Sequence, residues 1–314
     1  MTSDPALVAV THDGTFHADD VFAAAALRMA FSTIRIARSR EVGRIEAADI
    51  VFDVGGVHSD DRRRYDHHMI GGPARPDGSL YSSFGLVWRA HGRDAIAKLD
   101  GSLRPTDGGR LGPNDLEAAW MAVDAGLVRS IDRIDNGQDQ DPAASDVSSL
   151  ISAMSPKGEE AAEAVDAAFG AAVDIAFVFL RATCVKALAE RLDRRVVLEG
   201  QVLGRILVLS KPASWERTIR DEGIDVDFVV SPDGSTGNWI CKAVPARLGS
   251  LETKVAFPES WRARRGESFS AASGVPGGVF CHHAGFICGN ATREGAIELG
   301  RLALEANAAS GRTS

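Results

Sequence analysis

The chain has 314 residues, 45% hydrophobic and 25% charged, with a formal net charge of −8. That length favours two cores over one, and the composition excludes a disordered or fibrous protein. The acidic balance excludes a broad basic surface for duplex nucleic acid, but leaves room for a polyanionic substrate held by metal ions and a local cluster such as Arg62, Arg63 and Arg64.

The N-terminal "MTSDPALVAVTHDG" lacks the basic start and apolar core of an export signal. The most apolar later stretch, "AAFGAAVDIAFVFLRATC", is punctuated by Asp174 and Arg181. A cytoplasmic protein without membrane contact is expected. Cys184, Cys241, Cys281 and Cys288 show no paired spacing and read as reduced, buried thiols.

In chain order, "ALVAV" reads as a strand, "THDGTFHADD" as a loop and "VFAAAALRMAF" as a helix. "TIRIARS" and "ADIVFDVGG" read as two further strands. Strands alternating with helices imply an α/β domain whose parallel strands are joined by right-handed crossovers. A helix is expected from a cap near Ser82. A longer one should run from Asn114, with Glu117 three residues on, to the stop Asn136-Gly137. Asp132 and Asp135 then share a face of its last turn.

An alanine-rich pattern from about Glu159 to Arg194 predicts one extended helix, or two broken near Gly170. From "RRVVLEGQVLGRILVLS" onward strands and hairpins dominate, with a turn at Pro232, Asp233 and Gly234 and a last helix capped at Thr292. The expected layout is a metal-binding domain over 1–155, a helical connector over 156–194 and a smaller α+β domain over 195–314.

Ligands of open parallel sheets bind beyond the C-terminal strand ends. "HDGTFHADD", "DVGG" and "DHH" should therefore converge. They supply His12, His17, Asp19, Asp20, Asp53, Asp66, His67 and His68, with Asp132 and Asp135 from the helix end. Imidazole and carboxylate together suit Mn, Zn, Fe or Co better than Ca. A bridging carboxylate such as Asp53 can hold two ions about 3.5–4 Å apart, the arrangement used in phosphoester displacement. Each residue alone has a plainer reading. An aspartate before a helix is more often an N-cap than a ligand, Asp132 or Asp135 more often a solvated helix face, and an arginine triplet more often a turn.

Taken in order, "THDGTFHADD", "DIVFDVGGVHSDDRRRYDHHMIGG", "SSFGLVWRAHG", "IDRIDNG", "FPESWR" and "GGVFCHHAGFICGNATREGA" resemble the signatures of the Myg (melanocyte proliferating gene) family, a branch of the DHH metallophosphoesterases, over about residues 8 to 300. The resemblance implies an N-terminal DHH-type α/β domain with two ions, usually manganese (Zn, Fe, Co or Mg as alternatives), and a smaller C-terminal domain that binds substrate. It implies His12, His17, Asp19, Asp53 and His67 as ligands, with Asp135 or Asp132 closing the set and Asp66 orienting a histidine. His68 and Asp20 take catalytic roles. Arg64, Lys254, His282 and Arg293 become candidates for gripping phosphate. Typical DHH enzymes carry an aspartate where this chain has His17. The expected activity is metal-dependent phosphodiester hydrolysis, acting 3′ to 5′ on single-stranded RNA or short oligonucleotides, in a possible homodimer. A small-molecule phosphatase or a non-catalytic metal-binding regulator are the alternatives.

Overall fold

The computed structural model describes residues 6–104, 109–139, 146–156, 161–247, 249–250 and 252–310. The chain is a mixed α/β protein that divides into two units, Met1–Arg191 and Leu192–Ser314.

The first unit opens with β1 (Leu7–Thr11), α1 (Ala18–Ala30), β2 (Ile34–Arg38), α2 (Val42–Ala47) and β3 (Ile50–Phe52), followed by the short β4 (His58–Ser59) and β5 (Arg64–Tyr65). The sheet order is β2-β1-β3-β5-β4, parallel except where β4 meets β5. The ends of β1, β3 and β5 therefore stand side by side. Next come α3 (Ser83–Leu103), α4 (Pro113–Val123), α5 (Arg129–Asp135), α6 (Val147–Met154) and α7 (Ala162–Leu198).

Helix α1 is the centre of this core. Val21 to Leu27 are all buried, and the small run Ala23–Ala26 lets α3 approach closely, with the Phe22 and Phe84 rings 5.5 Å apart. Helix α3 starts after Ser82, as expected. The following helix is capped by Gly112 rather than Asn114, because Pro113 at the first position has a fixed φ and no N–H to leave unpaired. Glu117 instead meets the Arg93 guanidinium through two bonds of 2.7 Å. One π-helical turn, Asp124–Val128, joins α4 to α5, and the helix ends at Asn136 with Gly137 at φ 67°.

Helix α7 is one element with no break at Gly170; Glu159 and Glu160 lie outside the described residues. By length and composition alone it could cross a membrane. Its Phe169, Val173, Ala176, Leu180 and Cys184 stripe is buried in the first unit, and Asp166 and Asp174 pair with Arg38 and Arg28. The helix also continues through Val196–Leu198, where the sequence suggested a strand; buried Val197 packs there against Leu207, Leu209 and Trp215.

The second unit contains β6 (Gln201–Leu203), β7 (Ile206–Val208), α8 (Glu216–Asp221), β8 (Phe228–Pro232), β9 (Trp239–Ala243), α9 (Gly266–Ser273), β10 (Gly278–Cys281), β11 (Ile287–Asn290) and α10 (Arg293–Ser310). Its sheet runs β10-β11-β9-β8-β7-β6, with β7 and β8 parallel across the α8 crossover. Strand alternation sends Phe228 and Val230 to a core with Ala296, Leu299 and Ala303 of α10, and Val229 to the opposite core with Trp215 and Ile219. Thr292 caps α10, its hydroxyl accepting the Gly295 N–H at 3.0 Å. All four cysteines are buried free thiols.

Candidate metal centre

The parallel sheet delivers His12 just beyond β1, Asp53 just beyond β3, and Asp66, His67 and His68 just beyond β5, while α1 begins with Asp19 and Asp20. Asp53 sits at φ 53°, a left-handed conformation that aspartate tolerates better than most residues and that often marks a functional position.

Three overlapping donor groups form here: His12, Asp20 and Asp53; Asp53, His67 and His68; and Asp19, His67 and Asp135. His12 Nε2 lies 3.1 Å from Asp53 Oδ2 and 3.3 Å from Asp20 Oδ2. His67 Nε2 lies 3.4 Å from both Asp53 Oδ1 and Asp135 Oδ2, and 3.7 Å from Asp19 Oδ2. Two ligands each about 2.1 Å from one ion, at tetrahedral or octahedral angles, stand about 3.0–3.4 Å apart. Four of the five separations fall in that range, and the 3.7 Å from His67 to Asp19 lies just above it.

Asp20 satisfies both readings of an aspartate at a helix start. Its Oδ1 accepts the His17 N–H at 2.9 Å, closing the first turn, while Oδ2 faces His12. Both oxygens of Asp19, and Oδ2 of Asp20, are buried with no hydrogen-bond partner among the described residues. Leaving such groups unpaired is costly, and divalent cations would satisfy them.

The electrostatics agree. Burial, then the nearby charges of Asp53 and Asp135, push Asp19 well above the carboxylate range. Burial and the Asp53 charge push Asp20 up to about 7. Asp135 is raised chiefly by burial. Asp53 goes the other way: burial opposes ionisation, but hydrogen bonds to His12 and His67 override it and hold the carboxyl well below its usual range. In return, His12 and His67 are raised despite their own burial. Four carboxylates around two imidazoles make a site built for added positive charge.

Neighbouring groups hold this array in place. His12 Nδ1 faces the Asp13 carbonyl at 3.0 Å, which leaves Nε2 for the cluster. Asp66 orients His68 rather than His67: its Oδ1 accepts the His68 backbone N–H at 3.1 Å and lies 2.8 Å from Nδ1, and its Oδ2 accepts the Gly56 N–H at 2.6 Å. Ser83 donates to Asp53 Oδ1 at 3.0 Å.

Asp132 stands outside all three groups. It is fully buried, and its carboxylate accepts from Ser82 N (3.1 Å), Ser82 Oγ (2.6 Å), Gly85 N (3.1 Å) and Arg75 Nη1 (2.6 Å). It therefore caps α3 from another helix, and Asp135, one turn on, is the acid that reaches His67. Arg75 also bonds Asp124 at 3.1 Å, and nothing in "GGPARPDG" signals that role. Gly85 is required at this junction, since a Cβ would fall 2.6 Å from Asp132 Oδ1 and closer still to Oδ2.

Other candidates are not among the three donor groups. His17 is the exposed cap position of α1, its ring 6.4 Å from that of His12, and belongs to none of the donor groups. The Arg64 guanidinium is turned to the Arg62 and Ala48 carbonyls, at the start of β5 rather than its end. In the second unit, His282 lies in the β10–β11 turn, its Nδ1 accepting from Ala284 N, whereas Arg293 follows the opposite end of β11 and bonds Gln201. Lys254 reaches the Val226 carbonyl at 3.4 Å and lines a separate cavity of about 300 Å³. His282 and Arg293 do not converge, because β11 itself separates them.

In front of the donor groups a cavity of about 1010 Å³ opens within the first unit, with His17, His67, His68 and Asp135 on its wall. The arrangement defines an α/β protein with a candidate metal centre at its strand ends. The chain belongs to the family described as "Uncharacterised protein family (UPF0160)", whose MYG1 exonuclease profile it matches over residues 8–304. It is 31% identical to a MYG1 protein of Caenorhabditis elegans, covering 94% of each chain. It is 29% identical to a Homo sapiens protein named MYG1 exonuclease, over 94% of this chain and 85% of the other. A MYG1 protein of Saccharomyces cerevisiae is 30% identical over 94% of both chains. No solved structure matches.

Proposed function

We propose that the chain is a divalent-metal-dependent phosphodiesterase of the DHH type, releasing nucleotides from the 3′ end of single-stranded RNA or short oligonucleotides. The carrying observation is Asp53, whose Oδ2 faces His12 at 3.1 Å while its Oδ1 faces His67 at 3.4 Å. One carboxylate is thus shared by two donor sets, as a two-ion site needs. The exonuclease names of mammalian relatives support the reaction class.

In this reading His12, Asp20 and Asp53 would hold one ion, and Asp53, His67, Asp19 and Asp135 would hold the other. Manganese suits the mixed nitrogen and oxygen donors, with zinc, iron, cobalt or magnesium as alternatives. Such ions supply Lewis acidity and an acidified water. The chain supplies the rest. Asp66 fixes Nδ1 of His68, whose side chain is 62% exposed on the cavity wall, so that Nε2 is the nitrogen left to give a proton to the leaving oxygen. Asp132 holds the start of α3 at Ser82 and Gly85, and Ser83 between them donates to the Asp53 carboxylate.

The test is manganese-dependent release of mononucleotides, read as stepwise shortening of a 5′-labelled oligoribonucleotide. Release by wild type and its loss in Asp53→Asn is the expected result. Turnover of pyrophosphate but no oligonucleotide would replace this reading with a small-molecule phosphatase, and no turnover of either would end it.

A further inference from the structure

The cavity before the metal-binding cluster is larger than phosphoester chemistry alone requires. Its volume of about 1010 Å³ lies at the upper end of the roughly 300–1,000 Å³ usual for small-molecule sites. Beyond the cluster, its wall is formed by Met69, Pro73 and Leu80 from the loops around the histidine pair and by Ile131 and Ile134 from α5. Ile134 neighbours Asp135, and Met69 follows His68, so apolar wall and donor groups are built on the same short segments.

Charge narrows what can sit there. Among its described lining residues none is Lys or Arg, while Asp139 and Asp146 lie at its edge. A second phosphate in this region would meet no lining Lys or Arg among the described residues, but Asp146 and an Asp139 already paired with Arg133. The far wall instead offers hydroxyls and an amide: Asn136, Ser148, Ser149 and Ser152. Tyr81 closes one side and is held in place, the Arg75 guanidinium lying 4.1 Å from its ring centroid.

We infer that this part of the cavity is a nucleobase subsite: Met69, Leu80 and Ile134 take the faces of the terminal base, and the polar wall with Asn136 and Ser152 meets its edge. A neutral flat ring with polar edges matches an apolar wall that faces hydroxyls and an amide, with no Lys or Arg among the described lining residues. The inference rests on the nucleolytic reading and names what that site recognises, a base-bearing terminus rather than phosphate alone.

The experiment compares release of the terminal residue from two oligoribonucleotides, one ending in adenosine and one in an abasic ribose. Wild type should favour the base-bearing end at least tenfold in kcat/KM. In Leu80→Gln and Met69→Gln, confirmed folded by circular dichroism, that ratio should fall toward one. A wild-type ratio near one, or a ratio unchanged in both variants, would overturn the subsite while leaving hydrolysis intact. In parallel, calorimetry with manganese present compares adenosine monophosphate with ribose 5-phosphate. If wild type cleaves neither oligonucleotide the nuclease reading fails, and the subsite then stands only if the nucleotide binds at least tenfold more tightly; equal affinities overturn it.

Discussion

Asp132→Asn separates a positioning role from a ligand role at two acids three residues apart. The carboxylate of Asp132 is fully buried and takes four hydrogen bonds, including 2.6 Å from Arg75. An amide in its place turns an N–H₂ toward the Arg75 guanidinium, which can only donate, and leaves the buried Arg75 with Asp124 as its remaining acidic partner among the described residues. Breaking a buried pair from one side costs about 3–5 kcal/mol. At about 2–4 °C per kcal/mol for a unit of this size, the melting midpoint should fall by about 6–20 °C. Differential scanning calorimetry reads that shift, and manganese titration at a temperature where the variant is folded reads its metal stoichiometry. The expected result is a large stability loss with wild-type stoichiometry. Asp135→Asn should do the reverse, weakening manganese binding at least tenfold while leaving the metal-free protein as stable or more so, because one acid leaves a crowded group. An Asp132→Asn protein with an unchanged midpoint and a missing ion would refute the assignment.

Three further outcomes follow from the same geometry. Gly85→Ala pushes a Cβ against the Asp132 carboxylate and should cost about 1–3 kcal/mol in urea unfolding, with wild-type metal stoichiometry in the folded fraction. The metal-free protein should lose stability as pH rises from about 4 to 7, since Asp20 moves from an unfolded value of 3.8 up to about 7. Its native form then holds a proton that the unfolded chain has released, a contribution of about 4 kcal/mol at low pH that vanishes above the folded value. The raised values of Asp19, His12 and His67 act in the same sense. Saturating manganese should flatten the profile, and a midpoint rising with pH without metal would contradict the burial argument. His68→Ala should lower kcat about 100-fold with manganese affinity within a few-fold of wild type, as steady-state kinetics and titration can check.

Much of the first unit was legible because its signals are local. The βα alternation, the Ser82 cap and the Asn136-Gly137 stop depend on residues within a turn of one another. The convergence of His12, Asp53 and His67 followed from one topological rule about parallel strand ends. What escaped depends on partners distant in sequence. Arg75 looks like an ordinary loop arginine until α5 brings Asp132 to it, 57 residues away. Asp132 and Asp135 could not be separated from spacing alone, because the π-helical turn at Asp124–Val128 changes which face each presents. The strand pattern of Val196–Leu198 was outweighed by α7, whose end buries Val197 against the second sheet. Asp20 shows a different limit: cap and donor were read as rival roles, and its two oxygens take one each.

The central claim is that Asp53 is shared between two divalent ions. Anomalous scattering at the manganese edge, from crystals grown with manganese, tests it most directly. The account predicts two peaks about 3.5–4 Å apart, one contacting His12 and Asp20, the other His67, with the Asp53 carboxylate between them. No peak among these residues, or peaks that leave Asp53 out, would contradict it.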